Sequence, residues 1–175
     1  MKIQKKGGEA LRNGRRTILT VMSFLFAFCL WGSQSITSRA EETEVPGYHI
    51  YTTTEDEAID TWYGIARGTY LREGISGIKR SGPGKMSVSG TTNAHSVCDK
   101  VKVGVYLDES PDEGKSYGTI GSYYFEESNT SSCHGSESNI SVTVGWHYRT
   151  RCGHSVTEGS TTETSTTQTA WLRAT

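Results

Sequence analysis

Asp99-Lys-Val-Lys-Val-Gly-Val-Tyr-Leu107 is the stretch that decides the fold. Val101, Val103, Val105 and Leu107 share one parity, and Lys100, Lys102 and Tyr106 share the other. Successive side chains of a strand point to opposite faces, so this segment reads as a strand with one face in the core and one in water. Asn139-Ile-Ser-Val-Thr-Val144 repeats the pattern with Ile140, Val142 and Val144 inward. Lys85-Met-Ser-Val-Ser89 does the same with Met86 and Val88.

Further candidates lie on either side. Arg67–Arg72 reads as a first strand, Thr119–Glu126 as a middle one, and Trp146–Val156 and Thr162–Leu172 as the last two. Ser81-Gly-Pro-Gly84 and Glu109-Ser-Pro-Asp-Glu-Gly114 carry the residues that favour tight turns. Helix signals are nearly absent after residue 60. About seven short antiparallel strands at this spacing predict an all-β fold, a two-sheet β-sandwich, over residues 61–175.

Val144-Gly-Trp-His-Tyr148, followed by the alternating Arg149-Thr-Arg151, has the layout of a tyrosine corner, in which a phenol hydroxyl bonds back to the backbone at a sheet crossover. Trp146 and Tyr148 also read as plain core residues. The stretch from Ile140 to Trp171 resembles the last strands of a fibronectin type III or immunoglobulin-like domain. A wider set of segments is more specific: Arg67-Gly-Thr-Tyr-Leu-Arg-Glu-Gly74, Val88-Ser-Gly-Thr-Thr92, Cys98-Asp-Lys-Val-Lys-Val103, Tyr148-Arg-Thr-Arg151 and His154-Ser-Val-Thr157. Together they resemble a family of small secreted proteins of uncharacterised function from Gram-positive anaerobic bacteria. The resemblance implies secretion and β-structure and carries over no active site.

The N-terminus supplies an address. Lys2, Lys5, Lys6, Arg12, Arg15 and Arg16 make a basic start, an apolar run follows from Thr17 to Trp31, and Ser38-Arg39-Ala40 offers small residues around a cleavage point before Glu41. Residues 1–40 therefore read as a signal peptide, with an uncleaved membrane anchor as the rival reading. Removing them leaves 11 basic and 18 acidic residues, a net charge of −7. Such a surface argues against nucleic acid and anionic membrane as partners, so the membrane is met only in transit. Residues 41–60, with seven acids and no sustained apolar period, read as an acidic flexible leader.

Cys98, Cys133 and Cys152 remain after the signal. Outside the cell a pair can oxidise, and Cys133–Cys152 is the first expectation, with Cys98–Cys152 or three free thiols as alternatives. Cys133-His134 and Cys152-Gly-His154 also supply the ligand types of structural zinc, though not the spacing of a zinc knuckle. Asp108, Glu109, Asp112 and Glu113 match no calcium-loop spacing and read as a charged hairpin tip, with Asp108 and Glu109 solvated at a strand end. Tyr123, Tyr124 and Phe125 are consecutive, so at least one ring faces outward, where it can stack on a sugar or anchor a protein.

The leading expectation is a secreted, non-catalytic binding module without a cofactor, whose partner is an extracellular protein or glycan. The alternative is a small extracellular enzyme or zinc protein using Cys133, His134, Cys152 and His154.

Overall fold

The computed structural model describes residues 41–65 and 70–175, so residues 1–40, read above as a signal peptide, lie outside the described residues. The described part contains no helix and is 78% strand, which bears out the all-β class. Nine strands follow one another: β1 (Glu41–Glu44), β2 (Gly47–Thr53), β3 (Glu57–Gly64), β4 (Leu71–Gly82), β5 (Lys85–Ser110), β6 (Gly118–Ser141), β7 (His147–Glu158), β8 (Thr161–Gln168) and β9 (Leu172–Arg173).

The expectation of about seven short strands is corrected in two ways. The segments Lys85–Ser89 and Asp99–Leu107 are two halves of the single 26-residue β5. Thr119–Glu126 and the first residues of the Asn139 segment belong to the 24-residue β6. Moreover, all nine strands share one hydrogen-bonded sheet, in the order β1-β8-β7-β5-β4-β3-β2, with β6 added to β5 and β9 to β7. Every pair is antiparallel except β1 on β8, so the sheet is mixed. The pairing gives one strongly curled sheet rather than two separate ones.

The curl originates in β5 and β6. Residues Met86–Asn93 of β5 pair with β4, whereas Lys100–Ser110 pair with β7. The ladder to β6 breaks register between Asn93 and Cys98. Beyond this break the strand doubles back. A Cβ built on Gly90 would lie 2.7 Å from Val103 Cγ2 and 2.9 Å from Cys152 Sγ. On β6, a Cβ on Gly135 would fall on the Phe125 ring. Only glycine allows backbone and side chain this close across the fold. The inward side chains of Val101, Val103, Val105, Leu107 and Val156 fill the space between the two halves and are essentially fully buried. That is the face the alternation assigned to them.

Residues 41–60 are not a leader. β1 pairs with β8, β2 pairs with β3, and β3 pairs with β4. Ala58, Asp60 and Trp62 alternate as buried residues along β3, a signal hidden by the acids around it. Of the expected strand Arg67–Arg72, residues 67–69 lie outside the described residues, and Leu71 and Arg72 open β4. Val144, expected inward, is 61% exposed beyond the end of β6. The tyrosine corner does form. The Tyr148 ring is fully buried, and its hydroxyl oxygen accepts the Thr143 N–H at 2.9 Å.

Candidate functional site

The outward face of β5, β6 and β7 is organised around Asp108. Its carboxylate is fully buried, although the sequence suggested a solvated strand end. Arg149 Nε donates to Oδ2 at 3.0 Å, and Arg151 donates from Nε to Oδ2 at 2.6 Å and from Nη2 to Oδ1 at 3.1 Å. Thr119 Oγ1 donates to Oδ1 at 2.7 Å. Burial alone would raise the carboxyl pKa, but the Arg151, Thr119 and Arg149 hydrogen bonds outweigh it and hold the group below the usual carboxylate range. The Arg149 guanidinium lies between Tyr117 and Trp171, 4.4 and 4.5 Å from their ring centroids. Trp171 packs onto Gly114, where φ is +91° and a Cβ would strike the indole. Glycine is thus needed there for both conformation and space.

Arg151 also reaches along the face, its guanidinium 5.6 Å from the Tyr106 ring centroid. Tyr106 meets Tyr124 edge-on at 5.8 Å and 86°. A hydrogen bond with Tyr124, and then partial burial, raise the Tyr106 pKa. Asp108, Arg151, Tyr106 and Tyr124 therefore form a braced chain, and at its end Tyr124 is 72% exposed.

Beside this chain the face is open. Gly104 is paired with Tyr124 on one side and with Gly153 on the other. The rings of Tyr106 and Tyr124 lean over Gly104, with atoms 3.3–3.4 Å from a Cβ there, whereas above Gly153 nothing comes within 4 Å. Two hollows result. One, of about 330 Å³, runs over Gly104 and Gly153 between Tyr106, Tyr124, Lys102 and Glu126. The other, of about 500 Å³, continues from Tyr106 and Gly153 to Arg151, Thr166 and Gln168. At the rim, Lys102 and Lys100 hold Glu126 at 2.8 and 3.1 Å, and the Lys102 bond, then the Lys100 bond, lower the Glu126 pKa.

The structure separates the three consecutive aromatics. Tyr124 stands on this outer face, while Tyr123 and Phe125, opposite Val105 and Val103, pack against the core. Gly104, Gly153, Tyr106 and Arg151 were not singled out by sequence as a site. Each glycine interrupts an alternating run, which is a weak signal alone. Their juxtaposition exists only in the β5–β7 register.

The Cys/His set does not converge. Cys133, Cys152 and Cys98 are all buried free thiols, so the expected Cys133–Cys152 bridge is absent. The cysteines sit in different pairs of the ladder: Cys133 lies opposite Thr92 in one half of β5 and Cys152 opposite Val105 in the other. His134 points outward and bonds Thr91 Oγ1 at 2.8 Å. His154 is buried, with Nδ1 2.8 Å from Thr92 Oγ1 and Nε2 2.8 Å from Thr167 Oγ1. Thr92 gives its single hydroxyl proton to the Lys102 carbonyl, so Nδ1 must be the protonated nitrogen and Nε2 the acceptor from Thr167. Burial drives the His154 pKa down to about 3 and the Cys152 pKa up to about 12. Among the described residues no three His, Cys, Asp or Glu side chains are grouped to hold a metal ion, which removes the zinc alternative.

Fold and face together define an all-β protein built on one curled sheet with a glycine-floored, tyrosine-walled outer surface. Residues 36–171 match the model of a family of unknown function, DUF6147, and the chain belongs to that family. Comparison with curated proteins gives no match.

Proposed function

We propose that this is a secreted, non-catalytic binding module, and that its extracellular ligand, a protein or a glycan, is held on the outer face of β5, β6 and β7. The signal-like residues 1–40 motivate the secreted part, and an origin among Gram-positive anaerobes belongs to the same reading. One observation carries the binding part. Gly104 and Gly153 lie directly opposite each other in the middle of two long strands, beside an exposed and braced Tyr124. Glycine inside a strand weakens it by roughly 0.5–1 kcal/mol, and a position where a ligand approaches the backbone is where that cost has a use. The non-catalytic part is supported by where the two most strongly perturbed groups lie, since the shifted groups of the trough, Tyr106 and Glu126, are tied to Tyr124 and to Lys102 and Lys100. Cys152 and His154, with the largest shifts, face the interior rather than the trough.

The test is site-specific photocrosslinking in the full chain. A benzophenone amino acid replacing Tyr124 is compared with one replacing Ile50, which is half exposed and lies on β2. After incubation with the producing culture, adducts at position 124 that disappear in Gly153→Val support the reading. Equal labelling at both positions, or none at 124, overturns it.

A further inference from the structure

We infer that the trough over Gly104 and Gly153 takes a neutral oligosaccharide of two or more rings; this rests on the outer face being the binding surface.

The glycines come first. Neither Gly104 nor Gly153 has the positive φ that would require glycine. Gly104 is explained by the rings that lean over it, but Gly153 has empty space where its side chain would be. Neither conformation nor packing accounts for it, so what remains is an outside group that lies flat against the backbone. A sugar ring is such a group: one face is rich in C–H, and its rim carries hydroxyls. Tyr124 offers the complementary aromatic surface, already fixed by Tyr106.

Charge narrows the class. Lys100 and Lys102 are both engaged with Glu126, and Arg151 is engaged with Asp108. An anionic ligand would compete with these carboxylates for the cations and would meet the negative field of the chain outside its first 40 residues, whereas a neutral ligand disturbs neither. The other rim groups, Ser155, Thr166 and Gln168, are uncharged donors and acceptors, suited to hydroxyl groups. Length follows from continuity. The two hollows share Tyr106 and Gly153, so the groove crosses from β6 to β8 and suits a chain of rings rather than one. A protein ligand, with an apolar side chain over Gly153 and polar groups on the rim, is the outcome that crosslinking separates from this one.

The experiment is titration calorimetry of the full chain with chitohexaose, cellohexaose, xylohexaose, mannohexaose and, as an anionic control, a heparin hexasaccharide. The expected result is binding of at least one neutral chain and none of heparin. Tyr124→Ala weakens that binding by about tenfold or more, as the loss of one stacking aromatic implies. Gly153→Val abolishes it while leaving the thermal midpoint equal or higher. Tyr124 is largely exposed, so its variant tests the site even where Gly153→Val perturbs folding. No neutral hexasaccharide bound at millimolar concentration, heparin bound alone, or variants bound as well as the parent would each overturn the inference. A polypeptide crosslinked at position 124 together with silent titrations sinks only the saccharide class. Silence in both experiments sinks the binding face as well.

Discussion

His154 and Asp108 are buried side chains through which acid acts on this fold. His154 is neutral in the folded chain, with a pKa near 3, and ordinary at about 6.5 when unfolded. Between these values the unfolded chain binds a proton that the folded chain refuses. Its contribution is therefore intact above pH 6.5 and declines as the pH falls toward 3, by up to about 1.4 kcal/mol per pH unit. Asp108 acts in the same direction lower down, because its folded pKa is depressed and its contribution is lost as the carboxylate is protonated. Urea unfolding should thus show a clearly lower midpoint at pH 5 than at pH 7, and His154→Gln should be less stable at pH 7 but much flatter across that range. An unchanged slope in the variant would place the sensitivity elsewhere. Asp108→Ala leaves Arg149 buried without its partner and is expected to cost about 3–5 kcal/mol in the same assay at pH 7. Neither role was readable from the sequence. Asp108 finds its arginines 41 and 43 residues away, and an acid beside Glu109 near a turn looks solvated until the pairing is known.

At the scale of elements, local alternation was readable and long-range curvature was not. The inward parity of Val101–Leu107 needed only neighbouring residues, and it is correct. The doubling-back of β5 is marked by no proline or glycine in His95-Ser-Val-Cys98, so two halves of one strand looked like two strands. The acids of residues 41–60 masked β3 in the same way. Tyr148 lay between the two, since its turn signal is local and its bonding partner is only five residues away. Tyr148→Phe keeps the buried ring but strands the Thr143 N–H, and should lower stability by about 1–3 kcal/mol in chemical unfolding. The layered arrangement has its own test. Gly135→Ala forces the Phe125 ring to move, and Phe125→Ala should relieve part of that loss, so the double variant is less destabilised than the sum of the singles. Strict additivity would mean that the two halves of β6 do not press on each other.

At the scale of the whole molecule, the described residues hold their fold without a disulfide. Cys98, Cys133 and Cys152 are buried and unpaired, and burial raises the pKa of each, so little reactive thiolate forms at neutral pH. A thiol reagent should modify these three only after unfolding, and a reductant should leave the thermal midpoint unchanged. Rapid labelling in the native state would show that the cysteines are reachable. The trough was the least readable feature of all, because it is a property of register: Gly104 and Gly153 are 49 positions apart and meet only when β5 and β7 pair. The parallel pairing of Glu41–Glu44 with Thr161–Thr164 bears on timing. A chain made from its N-terminus emits β1 long before β8 exists. The sheet cannot close while the ribosome still holds the last strands. Until then β1 has no partner, and the edge it forms with β8 stays unmade. Topology itself thus works as a clock, postponing completion of this edge until synthesis is nearly done.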